Sequence, residues 1–180
     1  MKKTILSLAL ITLTGGLFAQ NLTTTSATVS FDATTPKDAL PKAENKTVIA
    51  SLNKRTGAIL FEAAVKNFAF GNPKIQEHFN SSNWMQSDSF PRFNFSGKIA
   101  KVNKLKFDKD GDYKIKVMGT LTIKGISKPV STMGTITVAA GKINAATAFT
   151  IKLSDYNITG QPIDNGKVAK EPKITVSAVF

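Results

Sequence analysis

The chain has 180 residues, a formal net charge of +12, 42% hydrophobic residues, 12 Gly, no Cys and one His. That length fits one domain better than two, and the composition is that of a globular core rather than of a disordered or collagen-like chain. Without Cys there is no disulfide, thiolate catalysis, iron–sulfur cluster or lipid-anchored Cys, and with His78 as the only histidine there is no multi-His metal site.

Met1-Lys2-Lys3 is a positive n-region, residues 5–13 are a short apolar stretch, and Gly15-Gly16 breaks it before Leu17-Phe18-Ala19. This order reads as a secretory signal peptide over 1–19, cleaved after Ala19, with the folded domain over 20–180. The apolar stretch is well short of the roughly 20 residues that cross a bilayer as a helix. A periplasmic or secreted location is therefore expected. Only Arg55 and Arg92 among the 24 basic residues are arginines, and the lysines are scattered along the chain. Bidentate reading of bases and phosphates favours Arg, so no nucleic-acid partner is expected. The lysines read as a solvated surface that protects strand edges.

From residue 25 onward an alternation with period two recurs, the signature of strands with one buried face. The segments in chain order are 25–31, 47–53, 58–66, 92–102, 113–123, 130–138, 143–151 and 174–180, about eight strands. Asn53 to Gly57 and Ala140-Gly141 have the composition of hairpin turns, and residues 125–129 that of a short loop. Asp108 to Asp112 resembles half a calcium loop. The liganding Glu would fall at Gly119, so a polar hairpin tip is expected instead. Short antiparallel strands at regular spacing favour a closed barrel or a sandwich, because closure removes exposed edges.

One stretch breaks the alternation. Residues 73–80 have the pattern of a short helix with Pro73 in its first turn, and 82–88 that of a second turn or helix around Trp84 and Met85. Seven of the twelve Phe fall between 61 and 95, with Trp84 among them. Aromatics so concentrated beside short helices point to a hydrophobic plug at one barrel opening, or simply to the rest of the core.

Motifs for chemistry are few. Glu77-His78 are neighbours, and adjacent residues on a helix point apart. There is no Gly-x-Ser-x-Gly elbow, no Gly-x-Gly-x-x-Gly and no phosphate-binding loop. No catalytic residue, metal ligand or cofactor is assigned.

Three longer patterns carry a family resemblance. They are Pro73-Lys-Ile-Gln-Glu-His78-Phe-Asn80 with Trp84-Met-Gln-Ser-Asp88-Ser-Phe-Pro91-Arg-Phe93-Asn-Phe95-Ser-Gly97; Tyr113-x-x-x-Val117-x-Gly119-x-Leu121-Thr122-Ile123-x-Gly125-Ile126-x-Lys128-Pro129-Val130; and Phe149-x-Ile151-x-Leu153-Ser154-Asp155-Tyr156-x-Ile158. In this order, across nearly the whole mature chain, they resemble the YceI-like family of periplasmic lipid-binding proteins. Lys124 stands where many members have His, and Trp84 and Phe90 where Tyr is common.

The resemblance implies an all-β fold, an extended lipocalin-like antiparallel eight-stranded barrel with one or two short helices near one opening. It also implies a non-enzymatic role: binding, storage or transport in the periplasm of a long apolar lipid such as a polyisoprenoid or prenylated quinone. An eight-stranded barrel is wide enough for one slender ligand when its lining is not all bulky. By alternation, Phe61, Val65, Phe93, Phe95, Val117, Leu121, Ile136, Phe149 and Ile151 share the inner phase. Gly119 and Gly134 lie on that phase too, where a missing side chain is expected to open space along the axis. Two loops offer a polar end for the ligand, one with Asn83, Gln86 and Asp88, the other with Ser154, Asp155 and Tyr156. The expected partners are the lipid and, transiently, a membrane surface, and homodimerisation is left open. The alternatives are a small outer-membrane barrel, opposed by outward Lys114, Lys116 and Lys124, and a secreted lipid-acting enzyme using His78 or Asp155.

Overall fold

The computed structural model describes residues 21–180, so the expected signal peptide over 1–19 lies outside the described residues. In chain order the elements are β1 (Asn21–Asp32), β2 (Lys42–Asn53), β3 (Ala58–Ala64), β4 (Ala69–Phe70), α1 (Pro73–Asn80), β5 (Arg92–Ile99), β6 (Gly111–Ile123), β7 (Ile126–Ala139), β8 (Lys142–Thr150), α2 (Gln161–Asp164) and β9 (Lys173–Val179). The hydrogen-bonded order is β1-β9-β8-β7-β6-β5-β3-β2, and β2 pairs back onto β1. Every pairing is antiparallel, so the sheet closes into an eight-stranded barrel with no long free edge. The two-residue β4 adds to the outside of this count, pairing Ala43 with Phe70 and Glu44 with Ala69.

Alternation fixes which face looks inward. Along β6, Ile115, Val117 and Ile123 are buried while Lys114, Lys116, Met118 and Thr120 are exposed. Two tight turns set the register. Lys124-Gly125 and Ala140-Gly141 each have positive φ at both residues (50° and 73°, 49° and 76°), the type I′ geometry that matches the twist of the flanking strands. The residues expected as a loop over 125–129 are therefore mostly strand: β7 starts at Ile126 and runs through Pro129. Proline is tolerated there because the ladder to β8 reaches only Gly134↔Thr147, leaving the first half of β7 unpaired on that side.

Between β1 and β2 the register shifts twice, between Thr24 and Ala27 and again between Ala27 and Val29. The first shift adds a residue to β1 and the second adds one to β2. The inward phase thus changes along each strand, from Ala43 and Asn45 to Val48, Ala50 and Leu52 along β2. Asn45 sits at this bulge, fully buried. Its Nδ2 donates to Ala64 O at 2.9 Å, and its Oδ1 accepts from Thr47 N and Oγ1 at 2.9 and 2.8 Å.

The two barrel ends differ. Residues 54–57, 100–110 and 140–141 close one end without an α-helix. The connections 33–41, 65–91 and 151–172, much longer in total, lie at the other end and carry both helices. Helix α1 starts as its sequence dictates: Asn72 caps it by accepting from Lys74 N at 2.9 Å, and Pro73 occupies the first turn. Of the turn or helix expected over 82–88 around Trp84, the structure has turns, and the second short helix is α2. Phe31, Phe68, Phe70, Phe79 and Phe93 form a ring cluster at the long-loop end, with centroids 4.9–6.1 Å apart. At the other end, Leu52, Ile136, Val138 and Ile143 pack into a layer almost without solvent contact.

Candidate ligand cavity

Many inward positions of the barrel are not sealed. Phe61, Phe93, Phe95, Leu121, Val130, Phe149, Ile174 and Val176 point inward by phase, yet each keeps part of its surface accessible. In a closed barrel this means that they face an internal space rather than packed neighbours. That space is a cavity of about 870 Å³, lined overwhelmingly by apolar side chains. It lies within the size range of small-molecule sites. The layer of Leu52, Ile136, Val138 and Ile143 contributes nothing to its lining, so the cavity stops above the short-loop end.

The polar lining comes chiefly from the long-loop end. Asp38 is contributed by the β1–β2 connection, Lys74 and His78 by α1, Asn83 by the turns after it, and Gln161 and Lys167 by α2 and its exit. Trp84 lies against the entry to α2: a Cβ built on Gly160 would stand 3.8 Å from its ring. This end is the mouth. The aromatics between 61 and 95 divide between the two expectations: Phe68 and Phe79 are buried in the core beside α1 beneath the mouth, while Phe61, Phe93 and Phe95 line the barrel wall.

The structure brings most of the expected lining together. Phe61, Phe93, Phe95, Val117, Leu121, Phe149 and Ile151 all face the cavity. Val65 does not: β3 ends at Ala64, and Val65 enters a 3-10 turn whose N–H donates to Pro91 O at 2.9 Å, placing its side chain within the aromatic core. Ile136 belongs to the sealed layer below the cavity. Gly119 and Gly134 are also absent from the lining, and neither leaves a void. A Cβ on Gly119 would collide with Ser96 O and come 2.6 Å from Cζ of Phe95. One on Gly134 would come 2.8 Å from Ala146 O. These glycines permit close backbone approach, and at Gly119 a neighbouring ring takes the space.

Of the residues expected at the ligand's polar end, Asn83 alone lines the mouth. Gln86 turns the backbone at φ 51°, its carbonyl accepting from Phe90 N at 2.8 Å. Asp88 points outward to Lys66, 2.6 Å away. Ser154 is exposed on a 3-10 turn (Leu153–Tyr156). Asp155 and Tyr156 line a separate hollow of about 240 Å³ with Lys128 and Lys152, where β7 and β8 part. Burial, and then the neighbouring Asp155 carboxylate, push the Tyr156 hydroxyl above its usual value.

Sequence reading missed Phe31, Ile174 and Val176 as lining, although their alternation within β1 and β9 was in view. It also missed Lys74 and Lys167 at the mouth, for which no local pattern exists, whereas Trp84 is among the aromatics expected at an opening. The His78 imidazole is exposed and makes no hydrogen bond among the described residues. Among those residues no group of three His, Asp or Glu is placed to hold a metal ion.

Comparison with solved structures finds the same barrel elsewhere. BcnA of Burkholderia cenocepacia is similar with a TM-score of 0.72 at 21% identity, over 86% of this chain and 96% of that one. A polyisoprenoid binding domain from Saccharophagus degradans, implicated in plant cell wall breakdown, gives 0.71 at 10% identity, over 86% and 93%. The YCEI protein of Campylobacter jejuni gives 0.54 at 21% identity, over 74% and 80%. At these identities the likeness shows the fold. Among curated protein sequences none matches. The family model described as the YceI-like domain matches residues 12–180, nearly the whole chain, and the chain belongs to the YceI-like family.

Proposed function

We propose that this protein binds a long apolar lipid of the polyisoprenoid or prenylated-quinone class, without chemical turnover, and stores or carries it in the periplasm. The observation that carries the reading is the cavity itself: about 870 Å³ of apolar interior, open at a mouth that bears the polar groups. Each CH₂ moved from water into such an interior contributes about 0.8 kcal/mol, so a prenyl chain binds through its length without specific polar contacts. The polyisoprenoid binding domain from Saccharophagus degradans, of the same fold, supports the same ligand class. The head of the lipid remains at the mouth near Asn83, Lys74 and Lys167, where a membrane surface meets it during transfer. The outward faces oppose a bilayer-spanning barrel. Lys98, Lys114 and Lys116 are exposed on β5 and β6 while Ile99, Ile115 and Val117 are buried on the inner face, the reverse of the arrangement that lipid requires.

Lipid extraction from gently purified protein, followed by mass spectrometry, tests the proposal. A prenyl lipid is expected to be released, and delipidated protein is expected to take up a fluorescent apolar probe that the lipid displaces. Protein that carries no apolar molecule and takes up no probe overturns it.

A further inference from the structure

The cavity runs without interruption past one ring, that of Phe95, which lies against its wall partway down. Strand register puts Phe61, Phe95 and Leu121 side by side, and the next inward row is Ile59, Gly97 and Gly119. Above this junction, towards the mouth, the walls are Phe31, Phe93, Phe149 and Ile174. Below it they are Ile99, Ile115, Val117 and Phe180. The Phe95 ring leans from its own row down across both glycines. A Cβ on Gly97 would lie 2.7 Å from its Cζ, and one on Gly119 would lie 2.6 Å from the same atom. The two glycines therefore form a notch in the wall into which the ring recedes. With side chains at either position the ring would stand out into the lumen. The two glycines, paired directly across β5 and β6, thus serve two ends at once: they let the strand backbones approach closely, with Met118 O 2.6 Å from a Cβ on Gly97, and they leave the wall open to the ring.

Resting on the lipid-binding reading above, we propose that Phe95 in its Gly97–Gly119 notch sets the length of apolar chain that the barrel accepts. With the ring recessed, the tip of the chain passes into the lower part and ends against the sealed layer. With the ring displaced, the chain ends at Leu121 and Phe61. Because each methylene withdrawn from water changes affinity about fourfold, the last unit admitted dominates selectivity between neighbouring homologues.

The test uses delipidated full chain and linear prenols from farnesol to solanesol, each titrated against a bound fluorescent apolar probe. Phe95→Trp carries a ring too large for the notch, so its preferred prenol is expected to shorten by about one isoprene unit, with affinity for longer ones falling more than tenfold. Phe95→Ala vacates the volume of the ring beside the chain; with the floor fixed, that space is expected to take up a further folded unit and move the preference towards longer prenols. Met118→Ala, on the outer face, serves as the control and keeps the wild-type profile. Circular dichroism and urea unfolding report whether each variant folds; if Phe95→Trp does not, Phe95→Ala alone decides. An unchanged length profile in folded Phe95→Ala overturns the proposal while leaving lipid binding intact. Wild-type protein that displaces no probe with any prenol overturns the lipid reading itself.

Discussion

At the scale of single residues, the glycines on the inner phase bear a different load from the one that alternation assigns them. Gly119 faces inward as expected, but its missing side chain leaves room for Phe95 and for the neighbouring backbone, not for ligand. Gly119→Leu is therefore expected to destabilise the protein by about 3 kcal/mol whether or not lipid is bound, as measured by urea unfolding. A variant as stable as wild type would show that the notch is soft. Tyr156 offers a second test. Burial and Asp155 raise its folded value above the ordinary 10.0. The unfolded chain therefore loses this proton first as pH climbs. The stability that depends on the neutral hydroxyl is present in full below about pH 10 and is lost as pH rises through the raised folded value. Tyr156→Phe is expected to flatten the alkaline limb of a stability–pH curve and to leave the neutral region's slope unchanged. Its alkaline limb matching that of wild type would remove Tyr156 from the account.

At the scale of elements, period-two reading located all eight barrel strands, and its errors have physical causes. β1 and β2 were found from residues 25 and 47 onward, although they begin at Asn21 and Lys42. The bulges at Thr24–Ala27 and near Asn45 change the inward phase, and an alternation that changes phase looks like its own end. Asn45 holds that irregularity with hydrogen bonds from both ends of its side-chain amide. Asn45→Ala leaves the half-buried Ala64 O without this donor and removes the two bonds that Oδ1 accepts at the bulge, so a loss of about 2 kcal/mol is expected in chemical unfolding. A change within experimental scatter would mean that the bulge holds without it. Helix α1 was legible from Pro73, whereas α2 was not, because four residues give no periodicity to read.

At the scale of the whole molecule, the proposed carrier role rests on a closed barrel with lysines outside and an apolar hollow inside. The export signal expected over 1–19 fits that proposal, because a carrier of prenyl lipid between membranes would have to be exported. Intact mass of protein recovered from the periplasm is expected to correspond to a chain starting at Gln20, after cleavage at Ala19. A soluble cytoplasmic protein that retains Met1 would overturn both the signal and the location.

The sequence by itself determined the strand count, the inward phase of most strands, the antiparallel closure and the family, because each follows from local alternation, turn residues or motifs in chain order. It also placed seven of the lining residues, since side-chain direction in a strand is fixed by period two. Tertiary structure decided the rest. Where the cavity ends, which inward residues are sealed below it, and which polar groups reach its mouth depend on how far strands are sheared past one another and how three connections fold over one rim. Lys74 and Lys167 meet at the mouth across 93 positions of chain, and Gly97 meets Gly119 across 22, separations over which no local pattern carries information. Only the closed barrel shows that the gap left by two glycines is occupied by a ring two residues away along β5, because packing density is a property of neighbours in space rather than in sequence.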